Sequence, residues 1–249
     1  MNIRVLTIAA LTGAMCACSP DDGGGSSLNK ELTYKITSEN SENLVVAVNY
    51  GIAADAISFI DLEDMASAGA RSVDAHAAPS FSKDCYTGSM SGEVSYDETS
   101  ASSVSASAKV DFNNCSDGET TVDGGIDFDF TMSGVDSIVS NYSFNNLSAE
   151  DGEHSVKMDG DMSVSINSEV ITSSWDYYIQ SSELNNQTVH SYTTTAFTLN
   201  TGDTYPTAGT WRIEGSEGTY IEATVIPNGV EVSVNGAQGE VIEWSQMGM

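Results

Sequence analysis

The sequence predicts a mainly β fold: an antiparallel meander of about ten strands, curled into a barrel, half-barrel or sandwich, with one helix near the N-terminus. Three observations carry this expectation. Apolar and polar residues alternate at period two through much of the chain after residue 84. Glycines at strand starts recur at a spacing of 36 residues. Turn-forming pairs cut the C-terminal part into short hairpins. The 249 residues include 36 Asp or Glu and only 8 Lys or Arg, for a net charge of −28, yet 40 % are hydrophobic. Such a chain has material for a core. It lacks the basic stripe that nucleic acid requires and the polybasic patch that anionic lipid attracts.

Taken in order, the N-terminus carries an address. Met1–Arg4 holds one positive charge, and Val5–Met15 is an apolar run too short to match the roughly 20 helical residues that span a bilayer. Cys16-Ala17-Cys18 follows, then the polar stretch Ser19–Ser27. This layout resembles a bacterial lipoprotein signal of the type cut by signal peptidase II. The resemblance implies cleavage after Ala17 and acylation of Cys18, a better fit than Cys16, which follows the bulky Met15. Met15 stands where that family usually has Leu. An ordinary secretory signal cut nearby is the alternative. Stable attachment takes more than one acyl chain, since each buried CH₂ contributes only about 0.8 kcal/mol. Pro20 rather than Asp follows Ser19, which by the same resemblance implies export to the outer membrane. Residues 1–17 are then a signal peptide, 18–30 a lipidated flexible tether, and 31–249 a single β-rich domain, with a helix at about 38–68 and strands at about 85–245.

Within the domain, residues 38–68 carry the helical signal. Ser38, Asn40 or Ser41 can cap it, Glu39 and Glu42 suit its first turn, and Leu44, Val45, Val48, Ile52, Ala56, Phe59 and Ile60 recur at three- and four-residue steps. Gly51 and the β-branched residues leave a pair of strands as the alternative. Residues 66–82 are Ala/Ser-rich and read as loop. Cys85 and Cys115 follow, and an exported compartment is oxidising. Folding Tyr86–Tyr96 onto Ser103–Phe112 about a turn near residue 100 sets the two cysteines opposite each other, the geometry of a disulfide. A metal site has no second Cys or His at ligand spacing.

The strands then announce themselves by period. Ile126, Phe128 and Phe130 alternate with Asp127 and Asp129; Met162, Val164 and Ile166 with Asp161, Ser163 and Ser165; Trp211 and Ile213 with Thr210, Arg212 and Glu214. Gly88, Gly124 and Gly160 each precede the first inward apolar residue by two, and Gly209 does the same further on. Phe112-Asn113-Asn114-Cys115-Ser116 recurs as Phe144-Asn145-Asn146-Leu147-Ser148, which reads as a strand end. The unit is about two strands and two turns. Gly215–Gly218, Pro227-Asn228-Gly229 and Asn235-Gly236 mark the last hairpins. A transmembrane barrel would show the same alternation with faces exchanged. The proposed anchor, the lack of aromatic girdles and the terminal Gln246–Met249 argue against it. The Gly-x-apolar strands, the Phe-Asn-Asn-Cys turn and Trp244 are similar to those of uncharacterised lipoproteins of Gram-negative bacteria, a likeness that implies no activity.

Chemistry-bearing patterns are sparse. His76, His154 and His190 are scattered, so no His pair has zinc spacing. Ser80–Lys83 fits Ser-x-x-Lys but sits in expected loop without a Lys-Thr-Gly partner. Asp123, Asp127 and Asp129, with Asp159 and Asp161, offer oxygen ligands for calcium, though alternate Asp residues on a strand more simply form its solvated face. Trp175-Asp176-Tyr177-Tyr178 is the densest aromatic cluster and reads as core before ligand pocket or glycan surface. No catalytic, cofactor or metal residue is assigned, and the expected class is not an enzyme. The expected protein is a membrane-anchored envelope lipoprotein with a structural or surface-interaction role. The alternative is a binding module that holds a small apolar ligand in a curled sheet. Its partners are the membrane, through the anchor, and a protein, glycan or apolar ligand left open. Cys18→Ala should abolish metabolic palmitate labelling and release the protein from membranes; unchanged labelling would refute the assignment.

Overall fold

The computed structural model describes residues 27–41, 44, 45, 48, 80–100, 103–133, 137–237 and 239–246, with backbone alone at 96–100 and 246. Cys18 and His76 lie outside the described residues. So does most of the expected helix 38–68; of its sequence Ser38–Asn40 form a turn, and Ser41, Leu44, Val45 and Val48 have helical backbone and are buried.

Twelve strands form one antiparallel sheet in strict sequence order. They are β1 Ser80–Asp84, β2 Thr87–Ser100, β3 Ser103–Ser116, β4 Thr121–Ser133, β5 Ser137–Glu150, β6 Ser155–Asn167, β7 Val170–Ser181, β8 Gln187–Asn200, β9 Ala208–Glu214, β10 Tyr220–Ile226, β11 Gly229–Val234 and β12 Glu240–Glu243. Each pairs with its chain neighbours, and β1 and β12 do not pair with each other, so the sheet is open. The count exceeds the expected ten partly because β1 begins inside the stretch read as loop. Ser80–Asp84, with the single apolar residue Phe81, is too short to register as a strand before β2 is known to lie beside it.

Register follows the apolar period. Ile126 faces Val110 on one side and Phe144 on the other, and Met158 faces Leu147 and Ile179. One face of the sheet is therefore apolar, and a one-residue slip would turn it to solvent. Burial on that face is complete toward the end where β1–β2, β3–β4 and β5–β6 turn. There Phe112, Val122, Ile126, Phe144, Leu147 and Met158 form one cluster. Toward the far end of β4–β6, Phe128, Phe130, Met162 and Ile166 are only half-buried. A second cluster joins Ile179, Val189, Trp211, Ile213, Ile221 and Val230 to Ile36, Leu44, Val45 and Val48. Val156 and Tyr177 pack against both.

The repeat is a bulge device rather than a strand end. Between Phe112 and Cys115, β3 sets Asn113 and Asn114 against the single residue Asp123 of β4. Between Phe144 and Leu147, β5 does the same with Asn145 and Asn146 against Asp159 of β6. Asn114 and Asn146 adopt φ of 47° and 49°, a left-handed turn that Asn tolerates better than most residues. Across from each bulge lies a repeat glycine. A Cβ on Gly88 would come within 2.0 Å of Asn114 O, and one on Gly124 within 2.4 Å of Asn146 O. Gly160 continues the series against the Asp176 carbonyl of β7, at 2.3 Å. The next strand completes the device: Asn114 N donates to Asp123 Oδ1 and Asn146 N to Asp159 Oδ2, both at 3.1 Å.

Cys85 and Cys115 are joined, with Cα atoms 5.3 Å apart. The β2–β3 hairpin brings them together as expected, about a tighter turn. Ser100 pairs with Ser103, so the β2–β3 reversal falls at residues 101–102, and Asp97–Ser100 belong to the strand. Cys85 sits in the β1–β2 turn, where Tyr86 N donates to Ser116 O at 2.7 Å, and the bridge pins that turn to the residue following the first bulge. With a sequence separation of 30, the cross-link should stabilise by about 3–4 kcal/mol through loss of unfolded-state freedom. Reduction is expected to lower the urea midpoint accordingly, and a midpoint unmoved by reduction would contradict a structural bridge.

Candidate functional site

The N-terminal segment departs from the expected tether at Leu28. From there it is attached to the sheet as a strap. Leu28 N donates to Asn146 Oδ1 at 2.8 Å, so the second bulge holds the strap through the same asparagine that forms it. Thr188 N donates to Thr33 Oγ1 at 2.8 Å, Thr188 Oγ1 donates to Asn29 O at 3.1 Å, and Thr33 N donates to Thr188 O at 3.1 Å. Ser216 N then donates to Tyr34 O at 2.7 Å in the β9–β10 turn. Leu28 and Ile36 are buried at the two ends of this run. Leu28–Lys30 therefore belong to the folded domain, not to the tether.

Lys30 on the strap reaches the polar face of the sheet. Its ammonium is 2.5 Å from Asp159 Oδ1 and 5.3 Å from the centre of the Tyr178 ring. The hydrogen bond to Asp159 raises the Lys30 pKa above its ordinary value. The ladder continues across β7–β10 because Tyr178, His190, Glu214 and Tyr220 are register partners. Tyr178 and His190 stack at 4.4 Å, and His190 Nε2 lies 2.6 Å from Asp176 Oδ1. Tyr192 OH donates to Glu214 Oε1 at 3.0 Å; burial, with that carboxylate second, pushes the phenol pKa up. Arg212 Nε lies 3.0 Å from the same oxygen, and its guanidinium sits 3.8 Å over the Tyr220 ring. This is a chain of stacked rings and ion pairs that ties the strap to five strands.

Its chemistry is cohesion. Ser191 follows His190 in sequence, but strand alternation sends it to the other face, where its Oγ accepts from Trp175 Nε1 at 3.0 Å. No serine–histidine pair forms there. The aromatic run Trp175–Tyr178 is split the same way. Trp175 stacks on Phe197 at 4.9 Å and meets Trp211 and Tyr177 on the apolar face, while Asp176 and Tyr178 join the ladder. That divides the expected cluster between core and surface.

Four of the five aspartates considered for calcium hold hydrogen bonds within the sheet. Asp123 and Asp159 cap the bulges, Asp161 Oδ1 accepts from Ser143 Oγ at 2.5 Å, and Asp127 Oδ2 accepts from Asn145 Nδ2 at 3.1 Å. Among the described residues no group of three or more His, Cys, Asp or Glu is arranged to hold a metal. His154 lies in the β5–β6 turn, with Nδ1 3.2 Å from Asp151. Ser80–Lys83 is strand β1 rather than loop. Among the described residues, one open cleft of about 510 Å³ includes Lys109, Asp111, Asp123, Asp127 and Asn145 in its lining, and another of about 280 Å³ includes Leu32, Arg212, Glu214 and Thr219. Sequence reading missed the strap and the ladder. The signal available was the Asp-Gly that follows each Phe-Asn-Asn by one strand, and the polar-face parity of Tyr178 and His190.

Comparison with protein-family models, with curated proteins and with solved structures finds no match for this chain. Among the described residues no helix is long and apolar enough to cross a membrane.

Tyr177 provides a test of the join between the two apolar clusters. Burial raises its phenol pKa well above the ordinary value of about 10. The folded protein then keeps the proton that the unfolded chain releases, so stability is full below about pH 10 and falls as pH rises beyond it. Urea midpoints measured from pH 8 upward should drop above about pH 10, and Tyr177→Phe should flatten that drop. A wild-type profile that Tyr177→Phe leaves unchanged would show the hydroxyl to be solvated.

Proposed function

We propose that this chain is a lipoprotein of the cell envelope, anchored at Cys18 in the outer membrane, with a non-catalytic structural or surface-interaction role. Its sheet is curled into a half-barrel around Ile36, Leu44, Val45 and Val48. The curl is supported by the cluster that unites these four residues with β7–β12. The stack of Tyr205, between β8 and β9, on Trp244, beyond β12, supports it further, with ring centres 5.2 Å apart.

The observation that carries the anchoring role is the strap. The sequence between Cys18 and the fixed Leu28 is short, Gly/Ser-rich and polar, and linkers of that composition and length reach roughly 17 Å. Leu28 is held at the end of the sheet that bears the bulges and the disulfide. That end then faces the bilayer, while the opposite hairpins stand roughly 45 Å further out, the length of a 14-residue strand. Glu119, Asp151, Glu153, Glu183 and Glu217 in the near turns keep the domain off an anionic surface. The charged groups in both clefts, Lys109, Asp111 and Asp127 in one and Arg212 and Glu214 in the other, favour this reading over a site for a small apolar ligand.

A fluorescent amino acid placed at Glu119 or at Thr201 distinguishes the two ends in vesicles that carry a quencher on the lipid headgroup. Stronger quenching at Glu119 is expected. Equal quenching, or stronger quenching at Thr201, would overturn the orientation, and failure of the mature protein to float with vesicles would overturn the anchor.

A further inference from the structure

Tyr86 is 81 % exposed, more than any other large hydrophobic side chain among the described residues. A ring in that position adds little to folding, yet its presentation is fixed in three ways. Its amide donates to Ser116 O at 2.7 Å, and the preceding residue, Cys85, is joined to Cys115. The ring lies alongside the backbone of Gly118, where a Cβ would come to 3.7 Å from Tyr86 Cδ1. The β3–β4 turn that props it is itself fastened: Gly118 N donates to Ser116 Oγ at 3.0 Å, and Glu119 N and Thr120 N both donate to Asp117 Oδ1 at 2.8 Å. Tyr86 thus stands out from a rigid support. Asp84, Asp117 and Glu119, all exposed, lie in or beside the two turns that hold it.

Position and charge select what the ring meets. Thr87, Ser116, Thr121 and Glu150 are successive register partners, so Tyr86 stands at the end of the sheet that carries the β5 bulge and, on it, Leu28. With the chain anchored at Cys18, a linker reaching roughly 17 Å brings this end to the bilayer. Tyr and Trp collect at the headgroup level of membranes, where one part of the ring is apolar and the other wet. A second copy would bring like carboxylates together between chains of net charge −28, and anionic lipid would meet the same repulsion. A zwitterionic headgroup instead offers an ammonium to the carboxylates and an apolar layer to the ring. We propose that Tyr86 is an interfacial contact, its ring entering the headgroup layer of a zwitterionic phospholipid surface while Asp84, Asp117 and Glu119 face the headgroup ammonium groups. It rests on the reading of Cys18 as the anchor: the tether supplies attachment and Tyr86 orientation. A contact too weak to hold a free protein suffices there, because the tether makes it intramolecular.

The test uses the full lipidated chain in vesicles of phosphatidylcholine and phosphatidylethanolamine, with fluorotyrosine in place of Tyr86 and a spin label on the lipid headgroup. The fluorine resonance should broaden beside the label, and replacing part of the lipid by phosphatidylglycerol should weaken that broadening at low salt. Tyr86→Ser, at an exposed position that leaves the urea midpoint in place, should lower the ratio of Glu119 to Thr201 quenching about threefold as the ring's apolar surface is lost. Protein that floats with the vesicles while its Tyr86 fluorine stays sharp would overturn this contact alone; protein that fails to float would overturn the anchor and the contact with it. Equal broadening on phosphatidylglycerol, or a quenching ratio unmoved by Tyr86→Ser, would also overturn it. So would a fluorine resonance that shifts with protein concentration in detergent, the sign of a second copy on the ring.

Discussion

The structure depends on one steric constraint, the passage of a bulged strand against a neighbour that has no side chain. At Asn113-Asn114 and at Asn145-Asn146 the chain gains a residue and turns left-handed, which drives a carbonyl toward the adjacent strand. The space it needs is the missing Cβ of Gly88 and of Gly124. The freed amide on the other side is satisfied by the carboxylate of Asp123 or Asp159. Three successive strands thus cooperate at each bulge, and the order glycine, bulge, aspartate occurs twice, with glycines and aspartates 36 residues apart and the bulges 32. Buried backbone groups must find partners, and a bulge without its aspartate would leave one amide to water.

Each bulge is then fastened, by different means. Cys115 and Leu147 occupy the same place after their bulges and are both buried in the same cluster. At the first, the disulfide ties the β1–β2 turn down onto β3. At the second, no cysteine is present, and the strap takes over through Leu28 and Asn146, with Lys30 on Asp159. Lys30 and Asp159 sit at a partly solvated surface, where an ion pair is worth at most about 1 kcal/mol, so the strap owes more to its backbone hydrogen bonds and to buried Leu28 and Ile36. The strap carries that attachment across to β8–β10, where the second apolar cluster begins. The same segment supplies Ile36 to the core, so one stretch of chain fastens a bulge and fills the second apolar cluster.

What could be read in advance was what depends on local period. Ile126/Phe128/Phe130 and Trp211/Ile213 declared their strands and their faces, and the cysteine spacing declared a bridge. The glycine and Phe-Asn-Asn markers were both visible and in step, but their meaning was not, because it lies in contact between strands rather than along one. A left-handed Asn looks the same in a turn as in a bulge, hence the reading as a strand end. Strand β1 was hidden because Ser80–Asp84 is short and acquires its pairing only from β2. The strap was hidden for a related reason: Leu28-Asn29-Lys30 has the composition of a tether, and only Asn146 and Thr188, more than a hundred residues away, make it part of the sheet.

The most direct measurement is a glycine-to-alanine scan read by urea unfolding. Gly152 and Gly202 also have positive φ but open space around them, so alanine there should cost only the conformational strain, about 1 kcal/mol. Gly88→Ala, Gly124→Ala and Gly160→Ala add a backbone collision and should each cost about 2–4 kcal/mol. If Gly88 and Gly124, which face the bulges, cost no more than Gly152 and Gly202, the bulge crossings do not organise this sheet.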